Sequence, residues 1–145
     1  DEGYRVEKMR SLLLELGLQR REAEPDMDYA LRLRQGLLSG FEFDAAATAE
    51  SLHLLPTSIF ELKKGDCSAF NAGFVYALRA SGIPAQLKLG LKYGSDIQDA
   101  CGVFVASHAE SEFFAEGIGW VPCDATLGAP SSFGHRGGSK SSFIG

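Results

Sequence analysis

Apolar residues at three- and four-residue intervals dominate the first part of the chain. Tyr4, Val6, Met9, Leu12, Leu13 and Leu16 recur from about Glu2 to Leu18, with Glu7, Lys8, Arg10 and Glu15 on the other face. That period predicts an amphipathic packing helix. The polar stretch Gln19 to Asp28, which contains Pro25, interrupts it. A second helix is expected to begin at a cap on Asp26 or Asp28, to run through Leu38 and to end at Gly40. A third is expected from Asp44 to about Leu54, stopped by Pro56. Between Cys67 and Ser81 the apolar Phe70, Phe74, Val75, Ala77 and Leu78 predict a further helix, closed by Gly82 and Pro84.

Beyond Pro84 the pattern turns from helical to extended. Ala85 to Tyr93, Gly102 to Ala115 and Trp120 to Cys123 read as strands, with turns at Gly94 to Asp96 and Glu116 to Gly119. The tail from Gly128 is rich in Gly and Ser and reads as a mobile end or a linker. Helices followed by an antiparallel sheet give an α+β fold class. The expected organisation is a single domain over 1–145, with an N-terminal helical extension at 1–25, a core over about 26–128 and the tail at 129–145. At 145 residues and 45% apolar content the chain can close a core without disulfide staples.

Charge and the length of the apolar runs each weigh against one class of function. The net charge is −5 and the Lys and Arg residues are scattered, so no basic stripe exists to track a phosphate backbone, and nucleic-acid binding is not expected. No apolar run approaches the roughly 18 residues of a membrane span. The first residues lack a basic segment followed by an apolar one, so no signal peptide is read there. The chain does not begin with Met, which leaves an upstream leader and flanking domains open. Compartment and oligomeric state are not assigned.

Three cysteines cannot all pair within one chain, and Cys67, Cys101 and Cys123 show no closely spaced metal-ligand pattern. A free cysteine is most often a small buried hydrophobe. Position singles out Cys67, in Gly65-Asp66-Cys67-Ser68 at the first turn of an apolar helix. Unpaired backbone N–H groups and the positive end of the helix dipole favour thiolate there and can hold an oxyanion. Asp66 opposes the thiolate by its charge, or serves as the helix cap.

Of the three histidines, His53 lies at a helix end and His135 in the Gly-rich tail. His108 lies within a strand, which can fix an imidazole as a base for Cys67. Asp124 closes the next strand, where an antiparallel pairing would bring it against His108, about 4.5–5.5 Å between Cβ atoms. Its alternative role is to cap the turn that follows. A metal site from Cys67, His108 and Asp124 is the weaker reading, because zinc sites use His-rich or closely paired ligands.

Four ordered segments carry a resemblance. They are Lys64-Gly65-Asp66-Cys67-Ser68-Ala69-Phe70, the run from Ala77 through Leu78, Arg79, Gly82, Ile83 and Pro84 to Ala85, Ser107-His108-Ala109-Glu110, and Gly119-Trp120-Val121-Pro122-Cys123-Asp124-Ala125-Thr126. Together they resemble the transglutaminase-like superfamily. The resemblance spans roughly Leu31 to Gly128 and implies a papain-like α+β core with a Cys-His-Asp triad on Cys67, His108 and Asp124.

The same resemblance implies thiol-dependent acyl transfer on a peptide or protein substrate, as a cysteine peptidase or amidohydrolase. Transfer to an amine, giving a crosslink, and an inactive binding or scaffold domain are the alternatives. No cofactor is implied, and no acidic calcium loop is present. Glu110 stands where the family often has Trp. The second oxyanion donor of many members can be matched only by residue type, to Gln19, Gln35 or Tyr29. Cys101 and Cys123 have no family counterpart and read as packing residues or a disulfide.

Overall fold

The computed structural model describes residues 2–44, 56–94, 104–126 and 142–144. Its first helix, α1 (Glu2–Glu15), ends before the predicted Leu18. Gly17 stops it by entering the left-handed region at φ 68°, and the N–H groups of Gly17 and Leu18 turn back onto the carbonyls of Leu14 and Leu13. Met9 and Leu13 carry its buried face, whereas Tyr4 is exposed.

Helix α2 (Asp26–Gly40) begins at Pro25 with no side-chain cap, contrary to the expectation for Asp26 or Asp28. Arg20 Nη2 takes one oxygen of the Asp26 carboxylate, and the Glu116 N–H donates to the other. Tyr29, Ala30, Leu33 and Leu37 form the buried stripe of α2. The helix expected from Asp44 to about Leu54, and His53 within it, lie outside the described residues beyond Asp44.

Two short strands and a short helix then set up the entry to the central helix. Strand β1 (Glu42–Phe43) pairs in parallel with β2 (Lys64–Gly65), and α3 (Ser58–Leu62) precedes β2. Central helix α4 (Cys67–Ala80) touches α1, α2, α3 and the sheet. It ends as the Gly82-Ile83-Pro84 pattern predicts: Gly82 sits at φ 86°, and the Gly82 and Ile83 N–H groups bond the carbonyls of Arg79 and Leu78. Arg10 Nε and Arg20 Nη1 cover the Ala80 and Ser81 carbonyls at the same end.

Strands β3 (Ala85–Gly94), β4 (Phe104–Ala115), β5 (Gly119–Cys123) and β6 (Ser142–Ile144) form a four-stranded sheet in the order β5-β4-β3-β6. All neighbours are antiparallel. Gly117 at φ 80° and Gly119 at φ 104° shape the β4–β5 turn. Within the tail read as mobile, Ser142–Ile144 instead pair with Leu91–Tyr93 of β3. The rest of that tail, with His135, lies outside the described residues.

One face of the sheet, through Phe113 and Ala85, closes on α4, whose Phe74 meets Phe113 edge to face at 6.4 Å between ring centres. Phe41 joins Phe60 and Phe70 in the same way on the helical side. No helix among the described residues is long and apolar enough to cross a membrane.

Candidate active site

The loop before α4 is built to place Cys67. Backbone bonds from Glu42 N–H to Lys63 O (2.9 Å) and from Asp44 N–H to Gly65 O (2.8 Å) clamp it on both sides of β2. Gly65 is required by space, since a Cβ there would lie 2.6 Å from Ala69 Cβ. Asp66 is the cap of α4, its Oδ1 accepting from Ala69 N–H at 2.9 Å. The N–H groups of Cys67 and Ser68 lie in the first turn of α4 and have no carbonyl partner within the helix, and the Cys67 thiol is half-buried.

The sheet brings the other two predicted residues to this thiol. His108 Nε2 lies 2.6 Å from Asp124 Oδ2, with side-chain exposures of 12% and 4%. With Nε2 committed to Asp124, the ring reaches Cys67 through Nδ1, and the Ala109 N–H also donates to the Cys67 sulfur.

The Asp–His contact is not the direct cross-strand pair that the turn length predicts. The last β4–β5 pair is Ser111 with Cys123, so continuing the register would set Asp124 against Glu110. His108 is one pleat farther, a diagonal neighbour at roughly 7–8 Å along a regular ladder. The contact closes because β5 ends at Cys123 and Asp124 leaves the strand. Asp124 also caps the turn after it, its Oδ1 accepting from Thr126 N–H at 2.8 Å and Thr126 Oγ1 at 2.6 Å. Arg34 Nε holds the Asp124 carbonyl at 3.0 Å.

The charges respond to these contacts. Burial pushes the Asp124 carboxyl up, but the bonds from His108 and Thr126 bring it down to about 2. Burial pushes the His108 imidazolium down, while its bonds to Asp124 and Cys67 hold it up to about 9. Burial also works against the Cys67 thiolate. Donation from His108 and the Ala109 N–H outweighs it, so the thiol titrates below its ordinary value. Both shifts favour the charged forms, thiolate at Cys67 and imidazolium at His108.

Cys123 shows the opposite balance. Its thiol is free and half-buried, so the disulfide alternative does not hold for it, and burial pushes it up to about 11. Cys101 lies outside the described residues.

Asp66 opposes the Cys67 thiolate by its charge. An Asp66→Asn variant keeps a capping oxygen and removes that charge. Its Cys67 thiol is expected to titrate lower than the parent's in a pH series of alkylation rates. An unmoved or higher midpoint would contradict the electrostatic role.

Two of the oxyanion candidates lie elsewhere. Tyr29 Oη bonds Leu18 O and Ser81 Oγ, each at 3.0 Å, and Gln19 lines a recess with Arg10, Ala80 and Gly82. Both sit at the C-terminal end of α4, about 20 Å from Cys67 along a 14-residue helix. Gln35 is exposed on α2.

The residue that sequence reasoning missed is Asn71, fully buried one turn beyond Cys67. Its Nδ2 donates to Cys67 O (3.0 Å), Ala109 O (2.9 Å) and Asp124 Oδ1 (3.2 Å). Its Oδ1 accepts from Ser111 Oγ and Ala125 N–H, both at 3.0 Å. An amide on the buried face of an otherwise apolar helix, four residues after a nucleophile candidate, was the available signal. Among the described residues no group of three or more His, Cys, Asp or Glu is placed to hold a metal ion.

The family model of the transglutaminase-like superfamily matches residues 16–125. An uncharacterized protein of Haemophilus influenzae is 32% identical over 77 residues, covering 43% of this chain and 21% of that protein. Among solved structures, the periplasmic domain of TgpA from Pseudomonas aeruginosa bound to ethylmercury is similar, with a TM-score of 0.58 and 24% identity, over 84% of this chain and 44% of that one. A candidate cysteine protease from Cytophaga hutchinsonii gives 0.57 and 17%, over 92% of this chain and 47% of that one. At these identities the likeness of structure is one of fold. The chain spans less than half the length of each of these three proteins.

Proposed function

This chain belongs to the transglutaminase-like superfamily, and we propose that it is a cysteine hydrolase of amide bonds, with Cys67 as nucleophile, His108 as general acid and base, and Asp124 as the group that orients His108. The observation that carries this reading is the doubly bonded imidazole of His108, with Asp124 at 2.6 Å on Nε2 and Cys67 on its other side. The fold likeness to a candidate cysteine protease supports the same class of chemistry.

In the first half-reaction the Cys67 thiolate adds to the carbonyl carbon of a peptide amide. The first-turn backbone N–H groups of α4, those of Cys67 and Ser68, are the donors assigned to the developing oxyanion. The C–N bond then breaks as the His108 imidazolium gives its proton to the departing amine, leaving a thioester on Cys67. In the second, neutral His108 takes a proton from water as the water oxygen adds to the thioester. The C–S bond breaks, a carboxylic acid leaves, and the thiolate–imidazolium pair is restored. Throughout, Asp124 fixes the tautomer and compensates the imidazolium charge.

The test is the rate of iodoacetamide alkylation of each cysteine from pH 5 to 9, read by peptide mass spectrometry on the parent and on His108→Ala. Cys67 is expected to react well below pH 7, Cys123 only slowly, and His108→Ala to remove the low-pH reactivity of Cys67. The organomercurial bound by the similar TgpA domain belongs to a thiol-directed class of reagent and offers an independent probe of Cys67. If Cys67 reacts no faster than an ordinary thiol, the nucleophile reading fails and a scaffold role takes its place. If it reacts as expected but transfers acyl groups to added amines in preference to water, the activity is crosslinking.

A further inference from the structure

The β4–β5 ladder ends where hydrogen bonding could have continued. Its last pair is Ser111 with Cys123, so the next rung of the same kind would join Ala109 to Ala125. The Asn71 carboxamide occupies that rung. Its Nδ2 donates to the Ala109 carbonyl at 2.9 Å, and its Oδ1 accepts from the Ala125 N–H at 3.0 Å, so a side-chain amide stands where a backbone peptide group would. The two Nδ2 hydrogens are shared among three acceptors, the Ala109 and Cys67 carbonyls and Asp124 Oδ1. Ser111 Oγ completes the shell on Oδ1.

We propose that Asn71 is the positioning residue of the Cys67, His108 and Asp124 cluster, its amide splicing into the β4–β5 ladder so that the strands part at the point where the thiol enters. Three consequences follow from its geometry. The edge of Ala109 stays turned to α4, with its N–H on the Cys67 sulfur and its carbonyl on Asn71. Asp124 is kept off the strand line, and its Oδ1 is saturated by Asn71 and Thr126, which leaves Oδ2 for His108. The Cys67 carbonyl is tied to the same amide, which fixes the first turn of α4 relative to the sheet.

Ala at position 71 would leave the Ala109 carbonyl and Ala125 N–H to find each other. Closing that rung would draw Asp124 back toward the strand and away from His108. The inference rests on the thiolate–imidazolium reading above.

Its test is the pH profile of Cys67 alkylation in the parent, Asn71→Ala, Asn71→Asp and, as a stability control in the helical layer, Leu33→Ala. Asn71→Ala is expected to raise the Cys67 midpoint, slowing alkylation at pH 6 by roughly tenfold for each pH unit by which the midpoint rises. Leu33→Ala is expected to lower the melting temperature with the profile unmoved.

Asn71→Asp is isosteric but can donate only while protonated. Its Cys67 reactivity is expected to stay near the parent's at low pH and to fall as the new carboxyl ionises, a step absent from the parent. Folded Asn71 variants with the parent's profile would overturn the inference alone. An ordinary thiol midpoint in the parent would overturn the inference together with the functional reading. Should neither variant fold, the two side-chain N–H resonances of Asn71 in the parent decide. They are expected to shift through the same midpoint as the alkylation, and resonances that stay still across it would overturn the proposal.

Discussion

A Cys67→Ala variant is expected to fold and to lose turnover of peptide amides by roughly 10⁶-fold, as removal of a covalent nucleophile does elsewhere. Of the two described cysteines, only Cys67 has a thiol held below its ordinary value, and Cys123 is pushed up to about 11. Water activated by His108 is a far poorer nucleophile than a thiolate already in place, so little residual rate is expected. The loss should fall on kcat, because substrate contacts away from the sulfur survive.

Amine release from a panel of peptide amides, paired with mass spectrometry of trapped acyl-enzyme, would check it. The parent should show a mass increment on the peptide containing Cys67, and the variant none. Equal turnover by parent and variant would end the nucleophile assignment.

An Asp124→Ala variant is expected to lose roughly 10³–10⁴-fold in turnover and about 3–5 kcal/mol in stability. The kinetic loss follows from a histidine freed to take the wrong tautomer. The stability loss follows from burial: the His108 side chain is only 12% exposed, and its imidazolium would be left without its 2.6 Å partner. Thr126, Asn71 and the following turn would also lose their acceptor.

The dependence on pH separates this from simple loss of packing. Asp124 sits at about 2 in the folded chain, below the ~3.9 of an unfolded aspartate, so its contribution is complete above pH ~4 and fades as pH falls toward 2. His108 is held up at about 9, above the ~6.5 of a free imidazole. Its contribution is complete below pH ~6.5 and is lost as pH rises through about 9. The gap in melting temperature between parent and Asp124→Ala should therefore be widest from about pH 4 to 6.5 and narrow on both sides. Melting curves from pH 3 to 10 would read it, and a gap independent of pH would show that Asp124 acts through packing alone.

Much of this protein is written locally, and local features follow from near neighbours in the chain. The period of Met9 and Leu13, the Asp66 cap, the Gly82-Ile83-Pro84 stop and the switch to strands after Ala85 each rest on a few adjacent residues, and the α+β class follows from their order. The places of Cys67, His108 and Asp124 in the chain were legible for a related reason, while their reading as one triad rested on the resemblance carried by four segments together. A helix start, a strand and a strand end are features that single segments announce.

What single segments could not announce is the meeting of segments distant in the chain. The parallel pairing of Glu42–Phe43 with Lys64–Gly65 and the return of Ser142–Ile144 to the edge of β3 depend on which unpaired backbone edges lie side by side, a relation no local pattern carries. Asp26 looked like a cap from its own neighbourhood. The arrival of Arg20 and the Glu116 N–H gave its carboxylate stronger partners. The diagonal path from Asp124 to His108 and the insertion of Asn71 between Ala109 and Ala125 were likewise decided by tertiary structure. The residue types needed for acyl transfer are present in the sequence alone. Their mutual distances, and therefore the charges they hold, exist only once helix and sheet are packed and water is excluded between them.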